Sequence, residues 1–223
     1  MSISSPLQSH ERAYLLELMQ DFPAQESVTV EMALNLLSIR YNSLDISPIA
    51  QRVPHLAGES YSRFFNRLPK QLHAYLYKDI LGNAGVYRQV IEKNSGVVFF
   101  GNNQKFHGLA PTEISDGIIK SFSNFSQNDP QPIHTVVSFY QQFVYVHPFY
   151  DANGRISRFI TSIYLDSHGY FISWEQLHKN SKWLKKLNAC HVRYNSNLYG
   201  AYLLRLVEHW SKFIVKKSDI FPS

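Results

Sequence analysis

Between His147 and Arg158 the chain reads His-Pro-Phe-Tyr-Asp-Ala-Asn-Gly-Arg-Ile-Ser-Arg, which places a base, a carboxylate, an amide, a glycine and two arginines in one short run. Each type answers a demand made by a polyphosphate. Gly154 lets backbone N–H groups approach an anion where a side chain would interfere. Arg155 and Arg158 stand three residues apart, so a helix starting near Gly154 puts both on one face at its positive end, where anions collect. Asp151 is a hard oxygen ligand able to make one contact to a magnesium ion already held by phosphates. Asn153 can donate to a phosphate oxygen. His147 is the one group in the run that takes up a proton near neutral pH, which makes it the natural general base for a hydroxyl nucleophile. Taken singly, every one of these residues also suits an ordinary turn between two helices, with Asp151 and Asn153 as caps. Their joint order is what points to chemistry.

The run closely resembles the signature of the Fic (Fido) family, His-Pro-Phe-x-Asp/Glu-Gly-Asn-Gly-Arg-x-x-Arg, and departs from it only at Ala152. The resemblance implies a protein adenylyltransferase that moves AMP from ATP to a Ser, Thr or Tyr hydroxyl of a target protein, self-modification included. It implies that His147 deprotonates the hydroxyl, that Asp151 holds Mg2+, and that Asn153, Gly154 and Arg155 clasp the phosphates while Arg158 grips the terminal one. Ala152 would keep the backbone donor of the family's glycine but add a methyl group to the anion cradle. In the related Doc branch a lysine replaces the second glycine and the final arginine is missing, so Gly154 and Arg158 set this chain apart from it. The same site could remove AMP, transfer another phosphate-linked group, or serve as a catalytically weak nucleotide-binding module.

Many Fic proteins carry an inhibitory helix with Ser/Thr-x-x-x-Glu-Gly/Asn, whose glutamate pairs with the last arginine of the signature. Ser27-Val-Thr-Val-Glu31 has that spacing, although Met32 stands where glycine or asparagine is expected. The resemblance therefore implies an autoinhibitory pair between Glu31 and Arg158.

The elements that must position these residues are mainly helical. A short amphipathic helix over Tyr14 to Met19 ends at Phe22-Pro23, and Ser27 reads as the N-cap of a second helix whose apolar stripe is Val30, Ala33, Leu34, Leu37 and Tyr41. Tyr61 to Leu81 reads as helix despite Pro69. Val86 to Ile91 and Val97 to Phe100, joined at Asn94-Ser95-Gly96, read as the one hairpin. In Fic proteins such a hairpin is a flap over the active site, and Ala84-Gly85-Val86-Tyr87-Arg88 resembles its opening segment. Val97, Val98 and Phe99 would then face the target. A helix from Pro111 to about Phe125, a long helix stopped by Pro148, a helix from Gly154 to His168 ending at Gly169, and helices starting at Ser173 and Asn197 complete the reading. The expected fold is a mainly α, Fic-type helical bundle with one β-hairpin flap before the signature. Its expected parts are an N-terminal helical region over 1–83, a core over 84–170 and C-terminal helices over 171–223.

Composition bounds the rest. With 223 residues, 44% hydrophobic and 17% charged, the chain has a globular balance. One cysteine, Cys190, excludes an internal disulfide and a cysteine-rich zinc site, and is expected in the core. The absence of a signal pattern and of a long apolar run leads to the expectation of a cytoplasmic protein with no membrane partner. A net charge of +5 favours acidic ligands in general. Lys179, Lys182, Lys185 and Lys186 read as a solvated helix face, and no nucleic-acid module is present. The ten histidines lack metal-site spacing and are expected mostly as packing or surface residues.

Overall fold

The computed structural model describes residues 9–24, 28–101 and 104–220. Helices dominate. α1 (Ser9–Asp21) and α2 (Val30–Ser43) form the N-terminal part. α2 is capped by Thr29, whose hydroxyl accepts from the Met32 amide, so the helix starts beyond the cap expected from sequence. Ser27 lies outside the described residues. Val30, Ala33, Leu37 and Tyr41 are buried as one stripe, whereas Leu34 is only partly covered. α3 (Ser47–Arg52) and the long α4 (Gly58–Tyr77) follow, and both pack on the later α7. Pro69 sits inside α4, so the Phe65 carbonyl loses its helical donor without ending the helix.

The expected hairpin is displaced. Residues 86–90 form no strand; only an isolated Ile91–Asn94 bridge survives at the expected turn. The two paired strands are β1 (Phe99–Phe100) and β2 (Phe106–His107), antiparallel, with Phe99 opposite His107 and Phe100 opposite Phe106. The reason lies at residues 86–90, which are tied to the rest of the molecule instead of to a partner strand. The Arg88 amide donates to the Pro148 carbonyl (2.9 Å), and the Tyr150 hydroxyl donates to the Gln89 carbonyl (2.9 Å).

After a single 3₁₀ turn at Pro111–Glu113, α5 (Ile114–Ser121) stops short of the expected Phe125. The residues beyond it, Phe-Ser-Asn-Phe, are poor helix formers, and Phe122 and Phe125 turn inward onto Phe65 and Phe139. α6 (Pro132–Val146) and α7 (Asn153–Ser167) are the central packed pair. Gly169 takes a positive φ of 78° after α7, as its expected role requires. The C-terminal part holds α8 (Trp174–Lys179), capped by Ser173, then α9 (Lys182–Arg193) and α10 (Tyr199–Trp210).

A second sheet corrects the expectation of one hairpin. β3 (Tyr170–Ile172) pairs antiparallel with β4 (Ile214–Lys216). Its strands lie far apart in the chain, so no turn signal marks the pairing. Cys190 is fully buried, and burial pushes its thiol up to about 11. No helix among the described residues is long and apolar enough to cross a membrane.

Burial, before any other cause, holds four histidines low: His73, His147 and His178 at about 4 and His191 at about 3. His73 accepts from the Gly85 amide and lies between the Tyr77 and Phe149 rings, at 4.6 and 4.2 Å. An unfolded chain would protonate all four near 6.5. Below that pH the unfolded state binds protons that the folded state refuses, so stability is lost as pH falls from about 6.5 towards 4. Thermal unfolding followed by circular dichroism is expected to show a melting temperature that drops on acidification from pH 7 to pH 5; an unchanged one would mean these imidazoles are solvated.

Candidate functional site

α6 ends in the residue that the sequence singles out as a base. His147 adopts a left-handed backbone (φ 52°, ψ 58°), its amide donating to the Phe143 carbonyl, so the imidazole is carried on the helix C-cap itself. A non-glycine residue there costs about 1 kcal/mol, and Pro148 next in line prevents the helix from continuing. The half-buried imidazole places Nδ1 3.1 Å from the Val144 carbonyl. A carbonyl can only accept, so Nδ1 carries the proton and Nε2 the lone pair. Burial keeps the ring neutral at pH 7. Phe100 of β1 stacks on the imidazole at 4.4 Å and 10°. His191 packs edge-on against both Phe100 and Phe106, and Gln141 donates to its Nδ1.

The turn from His147 to α7 is held from within. The Asn153 carboxamide accepts from the Phe149 amide at 2.9 Å and donates to the Phe149 carbonyl at 2.8 Å. Both its polar ends therefore hold buried backbone, with one N–H of the carboxamide left over. Ala152 departs from expectation. It takes φ 64°, a conformation that favours glycine, but it belongs to the buried core rather than to an open cradle. Its amide donates to Asp151 Oδ1 (2.6 Å).

Asp151 is half-buried at the mouth of α7. Its Oδ2 accepts from the Tyr77 hydroxyl at 2.6 Å. Burial, and then the charge of Asp151, push that phenol well above its ordinary value, so it stays a donor. Each carboxylate oxygen keeps a further lone pair, and the described residues hold no group of three metal-ligating side chains. One carboxylate and no cage is the donor set that suits magnesium carried in by phosphates and water. Tyr77 was not legible as a site residue, because it lies on α4, far away in sequence.

Gly154 stands in the first turn of α7, and a methyl group built on it would meet nothing within 4 Å. An anion could therefore approach this helix start closely. Arg155 flanks it, 3.9 Å from Asp151 Oδ1 and 4.7 Å above the Tyr41 ring. Arg158 lies one turn further, its Nη1 3.4 Å from His178 Nε2. Because the guanidinium has only donors, His178 is the acceptor and is neutral. In the structure Gly154, Arg155 and Arg158 lie in the first two turns of α7, Asp151 just before it, and His147 at the C-cap of α6.

A family match accompanies this geometry. The Fic/DOC family model matches residues 67–165, which run from within α4 through most of α7. Over residues 67–165 the chain is therefore similar to the Fic/DOC family. Two solved structures share the fold. A Fic domain-containing signaling protein from Bacteroides thetaiotaomicron is 17% identical, with a TM-score of 0.59 over 95% of this chain and 79% of its own. The N-terminal Fic domain of a VirB-translocated Bep effector protein from Bartonella quintana, determined with bound ADP, is 12% identical, with a TM-score of 0.53 over 88% of this chain and 91% of its own. No curated protein matches the sequence.

Two other expectations change in the matched region and its surroundings. Along the flap strand, side chains alternate, so Val97 and Phe99 are exposed while Val98 is buried, 6% exposed. Val98 therefore cannot meet a target. Glu31 is not brought to Arg158. It sits in the first turn of α2, one residue off the buried stripe, and its exposed carboxylate pairs with Arg12 of α1. Its own backbone amide first, and then Arg12, hold that carboxyl below the usual range.

Asn153 and Phe149 are both almost wholly buried. Asn153→Ala strands a buried N–H and a buried C=O, and is expected to cost about 2–4 kcal/mol of unfolding free energy. Denaturant titration checks this; a loss under about 1 kcal/mol would show that water replaces the carboxamide.

Proposed function

We propose that this chain transfers AMP from ATP to a hydroxyl side chain of a protein. The observation that carries the reading is the 3.1 Å approach of His147 Nδ1 to the Val144 carbonyl, an acceptor, which leaves the lone pair on Nε2. The Fic/DOC match over 67–165 supports it, as does the ADP bound by the similarly folded Bartonella quintana domain.

The target hydroxyl would give its proton to His147 Nε2 while its oxygen forms a bond to the α-phosphorus, and the bond to pyrophosphate breaks. General-base help of this kind contributes about a hundredfold or more. The burial that keeps His147 neutral also makes it a weaker base, and the negative phosphates of a bound nucleotide would strengthen it. Gly154 leaves the helix start open to phosphate oxygens, while Arg155 and Arg158 supply guanidinium charge along the same helix. Mg2+, when bound through Asp151, would neutralise charge that builds up on the phosphates. Tyr77 would keep the Asp151 carboxylate turned to that task.

The flap supplies a docking edge. Among the described residues β1 pairs only with β2 and so has one edge with no partner strand, and Val97 and Phe99 are exposed beside it. An extended target segment can pair with such an edge and bring its hydroxyl towards His147.

ATP labelled at the α-phosphate is expected to mark protein, and ATP labelled at the γ-phosphate is not. His147→Ala should lose the mark while keeping the wild-type circular dichroism and melting temperature. Label from the γ position, or full transfer by His147→Ala, would overturn the reading. Because Glu31 pairs with Arg12 rather than with Arg158, Glu31→Gly is expected to leave the transfer rate within about twofold of wild type; a large rise would mean that α2 restrains the site after all.

A further inference from the structure

Arg88 is 1% exposed, yet among the described residues every acceptor its guanidinium meets is a main-chain carbonyl. Nε donates to the His147 carbonyl at 2.6 Å, Nη2 to those of Leu109 at 2.8 Å and Val146 at 3.3 Å, and Nη1 to that of Gly96. A buried cation without a carboxylate is costly, and it persists only where its donors are fully used.

The choice of carbonyls explains its use. Those of Val146 and His147 lie at the C-terminal end of α6, where helical donors run out and the helix dipole is negative. Gly96 and Leu109 bracket β1 and β2. Two further bonds close the same joint: the Arg88 amide to the Pro148 carbonyl at 2.9 Å, and the Leu109 amide to the Val146 carbonyl at 3.2 Å. Gly108 confirms how tight the joint is, since a methyl there would lie 2.6 Å from Arg88 Nη2 and 2.9 Å from His147 Cβ.

We propose that Arg88 is a positioning residue that locks the left-handed backbone of His147 and both ends of the flap into one unit, so that the base and the edge that receives the target keep a fixed relation. Lysine cannot replace it, because one ammonium does not span carbonyls on three segments. The kinetic part of the proposal rests on the transfer reaction proposed above; the structural part does not.

Hydrogen exchange read by mass spectrometry on Arg88→Lys, without nucleotide, separates the two. Exchange is expected to speed up together in residues 96–109 and 146–149, with α9 and α10 unchanged. In the labelled-ATP assay the turnover should fall about tenfold or more while the KM for ATP stays within about twofold, because misplacing a base costs rate rather than nucleotide binding. A rise in exchange confined to residues 86–90, or to the flap with 146–149 as protected as in wild type, would overturn the proposal. An equal loss in KM and turnover would overturn it too, by reducing Arg88 to a general stability role. If wild type transfers nothing, the reaction falls, and the exchange result still decides for or against Arg88. Should Arg88→Lys fail to fold, Gly108→Ala keeps the guanidinium but displaces it. The same paired rise is expected there, and wild-type exchange would count against the joint.

Discussion

The chain must reverse between α6 and α7 within residues 147–152, and the structure depends on how that reversal is held. Two of its residues, His147 and Ala152, take left-handed backbone without being glycine. Each costs about 1 kcal/mol relative to ordinary conformations, so the turn persists only because its surroundings over-determine it. Asn153 clamps Phe149 from inside, the Tyr14 hydroxyl donates to the Tyr150 carbonyl, and Tyr150 in turn reaches Gln89. Strain collected here delivers the imidazole and the start of α7 to one place.

The polar groups of the loop divide their labour. The Asn153 carboxamide and the Ala152 amide hold the loop, whereas Gly154, Arg155 and Arg158 follow along α7. Asp151 does both, accepting from Tyr77 and Ala152 while keeping lone pairs for a cation. Only part of a short motif can touch a ligand, because a loop this strained needs partners of its own.

Aromatic packing extends the site away from the loop. Phe100 lies flat on His147, His191 supports Phe100 and Phe106 edge-on, and Tyr145 stacks between His191 and Tyr194 at 5.8 and 4.3 Å. The flap therefore rests on α9 as well as on α6. This contact explains why the C-terminal helices belong to the architecture of the site although the family match ends at residue 165.

Local chemistry was legible in the sequence wherever it is local in the chain. The order of types from His147 to Arg158, the stop at Pro148, the cap at Ser173 and the buried stripe of α2 all follow from residue types and helical spacing. Tertiary structure decided what spacing cannot carry. Arg88 prefers the carbonyls at the end of α6 to a place in a strand, and this moves the hairpin to 99–107. Arg12 claims Glu31 because α1 packs beside α2. Tyr77 finds Asp151 across 74 residues, and β3 finds β4 with no turn between them. The physical reason is common to all four: hydrogen bonds and charges select partners by distance in space, and distance in space is set by the packing of helices that the local pattern identifies but does not place.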